Sequence, residues 1–392
     1  MSNTQKKNVP ELRFPGFEGE WEEKKLESII KVNSGKDYKH LDKGDIPVYG
    51  TGGYMTSVSE PLSEIDAVGI GRKGTINKPY LLEAPFWTVD TLFYCTPKKE
   101  TDILFILSLF RKINWKVYDE STGVPSLSKQ TINKINRFVP TNKEQQKIGK
   151  FFSKLDRQIE LQEQKLELLQ QQKKGYMQKI FSQELRFKDE NGNDYPEWEN
   201  VMLQKVLKDK TEGIKRGPFG GALKKDTFVE SGYAVYEQRN AIYDISNFRY
   251  YINENKYKEM QSFSVQPNDI IMSCSGTIGR LALIPHNYTK GIINQALIRF
   301  RTNHKIRSEF FLIFMRSNQM QRKILEANPG SAITNLVPVK ELKLIPFPLP
   351  VKFEQDKISQ FIHIINRRIE QSDKRIESLK NRKQGILQKL LI

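Results

Sequence analysis

One long segment occurs twice in this chain, and no other feature constrains its fold as strongly. Residues 144–148 read EQQKI, residues 354–358 read EQDKI, and the offset of 210 then holds without a gap to the end of the sequence. Identical residues recur through the two copies, among them Arg157 and Arg367, Leu169 and Leu379, and Gly175 and Gly385. A gapless repeat predicts one structural element of fixed length that is used twice.

Apolar residues in both copies recur at alternating steps of three and four, which predicts a long helix with a coiled-coil seam over four heptads. Polar residues interrupt the seam at the same two positions, Gln162 and Lys173 in the first copy and Ser372 and Lys383 in the second. Two unrelated amphipathic helices on separate cores are the alternative, but they do not explain the matched interruptions. The apolar seam positions are Phe152, Leu155, Ile159, Leu166, Leu169, Tyr176 and Ile180, and then Ile362, Ile365, Ile369, Ile376, Leu379, Ile386 and Leu390.

The segments that precede the two helices also correspond, although more weakly. Their matches keep the same order while the offset only rises, from 173 to 205, before the helix follows at 210. The matched residues are Arg13-Phe14 with Arg186-Phe187, Trp21 with Trp198, Val48-Tyr49 with Val235-Tyr236, Asp66 with Asp269, and Leu92 with Leu297. The second copy therefore reads as the first with loop insertions. We predict an internal duplication with segments 1–142, 143–187, 188–350 and 351–392, alternately globular and helical.

Local patterns in the first globular segment predict its secondary structure. We expect a short amphipathic helix over Glu22–Ile29, several short strands bounded by Gly and Pro, a helix over Thr101–Tyr118 and a last strand over Ile135–Val139. Thr141 and Glu144 match a capping box at the start of the first long helix.

The chain carries a net charge of +17. Residues 143–187 hold ten basic and six acidic residues, and residues 353–392 hold nine and five, so each helical copy contributes +4. The remaining +9 lies elsewhere, so the excess is distributed as expected of a surface that binds a polyanion. Charge for solubility alone is the alternative, but nucleic acid is the better-supported interpretation for a chain this basic.

Composition also excludes several classes of protein. With 38% hydrophobic and 10% aromatic residues, the chain can build folded cores. Cys95 and Cys274 make no disulfide framework, and Met1–Pro10 lacks the apolar region of a signal peptide. The longest apolar run, residues 103–110, is too short to span a bilayer. We therefore expect a cytoplasmic protein.

No sequence motif supports catalysis. Residues 69–74, GIGRKG, match a dinucleotide-binding fingerprint, but that fold needs a helix directly afterwards and Pro79 prevents one. This loop, which carries Arg72 and Lys73, is a better contact for a phosphate backbone or a base. The sequence has no Walker motif, no Pro-Pro pair of the kind found in adenine methyltransferases, and no metal-ligand spacing among its four histidines. We predict no catalytic residue, no metal site and no cofactor in this chain.

These features together resemble the specificity subunit (HsdS, the S subunit) of type I restriction–modification systems, over nearly the full length. The resemblance rests on the repeated proline followed by E-Q-x-K-I, on the repeated R-x-I-E and the similar helix ends, and on paired segments that open with Arg-Phe and Trp. It implies a mixed α+β fold. Two duplicated target-recognition domains, residues 1–142 and 188–350, would be separated and bridged by two long antiparallel coiled-coil helices with pseudo-twofold symmetry.

The resemblance also implies a function. Each target-recognition domain would read one half of a bipartite, asymmetric site in double-stranded DNA. The helices would set the unread spacer and dock methyltransferase subunits. Two methyltransferase subunits and two restriction (motor-nuclease) subunits are the implied partners, and S-adenosylmethionine, ATP and Mg²⁺ would bind to those partners. This chain would then be a non-catalytic recognition subunit.

Candidate DNA contacts lie in polar, Gly-containing loops, because base edges are read by hydrogen bonds while Lys, Arg and backbone amides hold phosphates. Solvated surface is the alternative for each residue. Phe219, in the turn GPFG, could wedge into a groove, although a packed turn aromatic is the commoner case. The candidates are Lys36, Lys39, Tyr54, Arg72, Lys73 and Thr75 in the first globular segment, and Lys215, Arg216, Lys224, Lys225, Arg239, Asn240, Ser275, Thr277 and Arg280 in the second.

Two other function classes fit the sequence. One is a stand-alone DNA-binding scaffold or regulator without methyltransferase partners, which would bind specific DNA tightly by itself. The other is an enzyme with an unrecognised site, such as a nuclease, which would act on plasmid DNA in the presence of Mg²⁺.

Overall fold

The computed structural model describes residues 8–219, 221–243, 245–326 and 338–392. Contacts divide the chain into two compact units, Met1–Leu166 with Gln371–Ile392, and Glu167–Glu370. Each unit combines one globular head with part of two long helices. This division cuts through the helices, whereas the predicted segments separate helices from heads, so the four segment boundaries stay a prediction.

Short strands dominate the first head, which leads into a long helix. In chain order the described elements are β1 (Glu22–Lys25), α1 (Leu26–Ile29), β2 (Ile30–Ser34), β3 (Ile46–Gly50), β4 (Gly53–Val58), β5 (Ala67–Gly71), β6 (Tyr80–Leu82), β7 (Trp87–Thr88), β8 (Leu92–Pro97), α2 (Ile103–Lys112), a 3₁₀-helix (Trp115–Tyr118), α3 (Lys129–Lys134), β9 (Asn136–Val139) and the long helix α4 (Asn142–Phe181).

The second head is built from similar elements and leads into the second long helix. They are β10 (Glu199–Met202), a 3₁₀-helix (Leu203–Val206), α5 (Lys210–Gly213), β11 (Ile214–Arg216), a 3₁₀-helix (Lys225–Thr227), β12 (Phe228–Val229), β13 (Tyr233–Tyr236), α6 (Gln238–Ile242), β14 (Tyr251–Ile252), α7 (Glu254–Glu259), a 3₁₀-helix (Gln261–Phe263), β15 (Ile270–Ser273), β16 (Leu281–Leu283), β17 (Gly291–Ile293), β18 (Leu297–Phe300), α8 (Ser308–Met315), α9 (Asn318–Glu326), α10 (Val339–Leu344), β19 (Pro346–Leu349) and α11 (Lys352–Leu390).

The first head contains an antiparallel sheet in the order β2-β8-β5-β6 and a smaller sheet in the order β4-β3-β7, in which β3 and β7 are parallel. The pair β1-β9 closes the head. All five residues of β5 are buried. Val68 and Ile70 pack with α2 in one core while Ala67 packs with Phe86 in another, so both faces of the strand are covered. This explains why β5 shows an unbroken apolar run instead of alternation.

The second head repeats this topology. Its main sheet runs β11-β18-β15-β16, and its smaller sheet contains β14-β13-β17 with the same parallel pair, here β13 with β17. Strand β12 is added at the edge, and α6 and α7 lie in the longer connection between β13 and β15. The pair β10-β19 corresponds to β1-β9. The internal duplication with loop insertions is therefore confirmed at the level of strand order.

The long helices pair antiparallel within each unit. In the first, Asp156 and Glu163 of α4 form ion pairs with Lys383 and Lys380 of α11, respectively. Residue numbers therefore fall along α11 as they rise along α4, as in an antiparallel pair. In the second, the rings of Tyr176 and Phe361 meet edge to face at 5.1 Å between centroids. Of the predicted apolar seam residues, only Tyr176, at 38%, is exposed. In the described ranges no helix is long and apolar enough to cross a membrane.

Two local predictions for the first head were wrong. Residues Glu22–Lys25, expected to be helical, form strand β1, which pairs with β9 from Glu22 opposite Val139 to Lys25 opposite Asn136. Its mostly exposed Glu and Lys residues favour a helix locally, but pairing through the backbone overrides that preference. The helix expected over Thr101–Tyr118 ends as α2 at Lys112, and a separate 3₁₀-helix follows.

Candidate nucleic-acid interface

The repeated Glu-Gln pair fastens each head to its long helix. In the first unit Glu144 is 1% exposed and accepts two hydrogen bonds from Arg13, both 2.8 Å long. Gln145 accepts a hydrogen bond from the amide of Asp102 at 3.0 Å and donates to the carbonyl of Pro140 at 2.9 Å. Glu144, whose carboxylate was expected in a capping box, thus binds Arg13 in the first segment of the head. The two hydrogen bonds have the strong bidentate geometry of arginine with a carboxylate.

The second unit has the same set of contacts between the Glu-Gln pair of the long helix and the head, and we call this set the joint. Glu354 is fully buried and accepts hydrogen bonds from Arg186 at 3.1 and 2.8 Å and from the indole Nε1 of Trp198 at 2.8 Å. Gln355 accepts a hydrogen bond from the amide of Arg307 at 2.7 Å. The sequence motif that defines the repeat is therefore the joint between head and helix, which explains why both copies retain it.

In the first head, two loops and the end of one strand meet at the turn between β7 and β8. Backbone hydrogen bonds attach the loop after β2, the loop after β5 and the end of β3 to this turn. They run from Lys36 to Thr88 at 2.8 Å, from Arg72 to Thr91 at 2.8 Å, and from Val89 to Tyr49 at 3.0 Å, each from amide to carbonyl. Because only backbone atoms are involved, the loops are free to vary their side chains. We call this meeting point the loop junction.

Four of the six contacts predicted for the first head lie on these loops close to the junction, and a fifth, Tyr54, lies on strand β4. Lys36, Arg72 and Lys73 are exposed and Thr75 is half-buried. Tyr54 is 64% exposed and its ring meets that of Tyr49, next to the junction, at 6.4 Å between centroids. The sixth, Lys39, is exposed farther along the connection between β2 and β3, and the described contacts do not bring it to this group.

The glycine fingerprint of residues 69–74 forms the end of β5 and a tight turn. A Cβ on Gly71 would lie 2.2 Å from the carbonyl oxygen of Thr75, and Gly74 has a φ of +88°. The next element is strand β6, not the helix that a dinucleotide site requires. The glycines therefore shape a turn that exposes Arg72 and Lys73.

The second head builds the same loop junction at the turn between β17 and β18. The equivalent bonds run from Asn294 to Tyr236 at 2.9 Å and from Cys274 to Ala296 at 2.8 Å. Gly217 donates to Leu297 at 2.9 Å, as Gly35 does to Leu92 at 3.1 Å. An added Cβ would lie 1.8 Å from a carbonyl oxygen at Gly217 and 2.0 Å at Gly35, so both positions require glycine. The glycine pair, at an offset of 182, escaped the sequence comparison.

A cleft of about 470 Å³ opens beside the second loop junction. Predicted contacts Arg239 and Thr277 line it, together with Gln238, Tyr243, Arg249 and Asn294, which sequence reasoning missed. Tyr243 is 83% exposed. Arg249 pairs with the buried Glu237 at 2.7 Å, which raises the pKa of Arg249 and fixes its guanidinium at the cleft. The signal available in the sequence was a basic residue directly before two tyrosines, a pattern suited to nucleic acid.

The other contacts predicted for the second head differ in burial. Arg216, Lys224, Lys225 and Arg280 are exposed, while Ser275 and Lys215 are half-buried, with Lys215 4.7 Å from the ring centroid of Phe263. Asn240 is 1% exposed; its side chain accepts a hydrogen bond from the amide of Glu237 and donates to the carbonyl of Asn247. This side chain stabilises the start of α6 and does not face solvent.

Phe219 is 97% exposed, so it is not a packed turn residue. The exposure of this aromatic side chain is compatible with its insertion into a groove of DNA, which stays a prediction. Gly220, the next residue of the same turn, lies outside the described residues.

Part of the positive charge is structural. Arg301 binds the buried Asp269 with two hydrogen bonds of 2.8 and 2.9 Å. Arg299 is 2% exposed and donates to backbone carbonyl groups, and burial lowers the pKa of Arg299 to about 10. These two cations stabilise the second head and are not available to a phosphate.

Comparison with known proteins identifies the family. The family model described as the type I restriction modification DNA specificity domain matches residues 18–171 and again residues 217–381. A putative type I restriction enzyme MjaX specificity subunit from Methanocaldococcus jannaschii is 26% identical over 297 residues, which cover 74% of this chain and 66%, just under two thirds, of that protein. The type I restriction enzyme MjaVIII specificity subunit of the same organism is 24% identical over 348 residues, which cover 84% of this chain and 76% of that protein.

Solved structures show the same fold. The S subunit of a type I restriction–modification system from M. genitalium is 14% identical, with a TM-score of 0.63 over 98% of this chain and 99% of that one. A chain from a structure that addresses complex assembly and conformational transition of a type I R-M system is also 14% identical, with a TM-score of 0.58 over 94% and 97%.

Two heads of equal topology, each with a polar loop junction and each fastened to paired long helices, define a duplicated recognition protein. The two matches of the family model cover most of the chain. It belongs to the family of type I restriction modification DNA specificity domains and carries two copies of that domain. Specificity chains of these systems recognise DNA and are not the catalytic subunits.

Proposed function

We propose that this chain reads both halves of a bipartite, asymmetric site in double-stranded DNA, one half with each head. The observation that carries the proposal is the pair of loop junctions, which share their backbone hydrogen bonds but present different side chains. The first presents Lys36, Arg72 and Lys73, whereas the second presents Arg239, Thr277 and the cleft beside them. Equal scaffolds with unequal loops suit the recognition of two different sequences at a similar geometry.

The side chains at each junction divide by chemistry. Exposed Lys and Arg residues suit the phosphate backbone, and Tyr54, Thr75, Ser275 and Thr277 suit base edges or sugar. One head can therefore bind the DNA backbone whatever its sequence and also recognise particular bases. The contacts that position the DNA need not change when the sequence that is read changes.

The catalytic steps would belong to partner subunits. Two methyltransferase subunits would dock on the helices, and two restriction subunits would join them. S-adenosylmethionine, ATP and Mg²⁺ would bind to those partners and not to this chain. The complex would act in the cytoplasm, where it meets DNA. The family membership supports this assignment.

The long helices would set the number of unread base pairs between the two half-sites. Helix α4 has 40 residues and α11 has 39. Each is therefore about 60 Å long at ~1.5 Å per residue. A helix of fixed length is a suitable ruler, because it cannot shorten without breaking its hydrogen bonds.

Mapping of methylated adenines in cells with and without the gene for this chain tests the proposal. We expect one bipartite motif to disappear on deletion and to return on complementation. An unchanged set of methylated motifs in cells that retain the methyltransferase partner contradicts it and favours a stand-alone DNA-binding scaffold.

A further inference from the structure

The two units differ in charge at one position where their construction is otherwise equivalent. Trp21 meets Phe105 at 6.4 Å between ring centroids, and Trp198 meets Phe310 at 6.3 Å, so α2 and α8 correspond at an offset of 205. That offset makes Arg316 the counterpart of Arg111. The helix repeat, at an offset of 210, makes Lys173 the counterpart of Lys383 and Asn366 the counterpart of Asp156.

In the first unit one carboxylate neutralises two cations. Asp156 of α4 forms ion pairs with both Arg111 of α2 and Lys383 of α11. The three side chains are only 18–30% exposed, so the charges are partly removed from water. Cations held together in this way need an anion, because like charges at short range repel each other.

In the second unit the position of that carboxylate is taken by the neutral amide of Asn366. Within the described part of the chain, no acidic side chain pairs with Lys173 or Arg316; Arg316 donates to the carbonyl of Leu281 at 2.5 Å. Partial burial, and then the charge of Arg316, lower the pKa of Lys173. The second unit therefore keeps two neighbouring cations and lacks the anion that the first unit supplies.

We propose that Lys173 and Arg316 form a site for one oxyanion, and that the oxyanion is a phosphate of the DNA backbone. The carbonyl group of Leu281, which binds Arg316, directly follows Arg280 in the sequence, next to the loop with Ser275 and Thr277 that holds candidate DNA contacts of the second head. The site is inferred from the equivalence of the two units and from the position of Arg316 against Leu281. Its assignment to DNA rests on the proposed function.

The same reasoning makes the two halves of the complex unequal. In the first unit Asp156 already occupies the equivalent position and would repel a phosphate. The second unit would therefore make one contact to a DNA phosphate that the first lacks. Its affinity for its half-site would fall more steeply as the salt concentration rises. An acidic side chain of a partner subunit is the competing occupant.

Thermal unfolding of the full chain in inorganic phosphate, compared with chloride at equal ionic strength, tests the site. Because a ligand that binds only the folded state stabilises it, phosphate at ten times its dissociation constant should raise the midpoint by about 2 °C for a chain of this length. Asn366→Asp should abolish this part of the response by supplying the carboxylate internally. Asp156→Asn should add a second response of similar size by opening the equivalent site in the first unit.

Asn381→Asp is the matched control, since Asn381 lies exposed on the same helix and its substitution changes the net charge equally. It should respond to phosphate as the unmodified chain does. If Asn366→Asp responds like Asn381→Asp, and Asp156→Asn gains nothing, the oxyanion site is refuted.

The salt dependence of DNA binding then identifies the occupant. Loss of one phosphate contact should lower the slope of log affinity against log salt by about 0.9 in Asn366→Asp relative to Asn381→Asp. Equal slopes, combined with a lost phosphate response, overturn the assignment to DNA and favour a carboxylate of a partner subunit. The phosphate measurement uses no DNA, so it stays interpretable even if the proposed reading of bipartite sites fails.

Discussion

Two buried glutamates at equivalent positions bind a head to a long helix, but they accept hydrogen bonds from different numbers of side chains. Glu144 and Glu354 each accept two hydrogen bonds from an arginine, but Glu354 also accepts one from the indole of Trp198. The equivalent indole nitrogen, that of Trp21, is buried without a hydrogen-bond partner among the described residues. Removal of one member of a buried ion pair leaves the other charge unpaired, which costs about 3–5 kcal/mol.

Glu354→Ala should therefore lower the free energy of unfolding by about 3–5 kcal/mol. Glu144→Ala should cost less, because it leaves one donor side chain without its acceptor instead of two. Urea unfolding followed by circular dichroism measures both. Glu377→Ala, at an exposed position of α11, is the control and should change stability by less than about 0.5 kcal/mol. A loss in Glu354→Ala no larger than in Glu377→Ala would show that the joint does not hold the head to the helix.

At the scale of elements, the glycines of the long helices fall into two kinds. One is needed for close packing, and the others affect only the intrinsic stability of the helix. A Cβ on Gly175 or Gly385 would meet nothing within 4 Å. On Gly149, near the start of α4, it would lie 2.5 Å from Asp102 Oδ1 and 2.7 Å from Leu104 Cβ. Gly149 thus permits the close approach of α2 to α4, whereas the other two glycines only weaken their helices.

Gly175→Ala and Gly385→Ala should each stabilise the chain by about 0.5–1 kcal/mol, the difference in helix propensity between the two residues. Gly149→Ala on the same helix should instead destabilise it by about 1–3 kcal/mol, because the added methyl group overpacks the contact with α2. Thermal unfolding monitored by helical circular dichroism distinguishes them. Equal effects of all three substitutions would contradict the packing that we describe.

Elements with a strong side-chain pattern could be predicted from the sequence, and those held by backbone alone could not. The steps of three and four mark the helices, and the apolar run of Ala67–Ile70 marks β5, because burial selects the side chains there. The charged strand β1 has no such pattern. The loop junctions are made by amides and carbonyls of residues as different as Val89 and Asn294, so no residue type reports them. Exposed candidates such as Arg72 were found by composition, and the buried Asn240 was selected by the same criterion.

At the scale of the whole chain, two copies of one design carry different surfaces, and the long helices connect them in sequence. The parts that stayed alike are the joint and the helix seam, whereas the loops diverged. This distribution suits a protein whose frame is constant and whose recognised sequence varies. It also makes helix length a separate variable from the sequence that each head reads.

Insertion of seven residues at Lys165 and of seven at the equivalent Arg375 should lengthen the unread spacer. A heptad keeps the seam in register and adds about 10 Å at ~1.5 Å per residue, close to three base pairs at about 3.4 Å each. Both half-site sequences should stay the same in the mapped methylation motif. Replacement of the same stretches without a change in length is the control. Active insertion variants that keep the original spacing would show that the helices do not set it.

The central claim is that each head reads its own half-site, and exchange of one head tests it most directly. Residues 1–142 are replaced by the corresponding head of another member of the family, and methylated adenines are mapped in cells that contain the partner subunits. The account predicts a motif in which one half is new while the other half and the spacer stay as they were. A motif changed in both halves would contradict it, as would an active complex whose motif does not change.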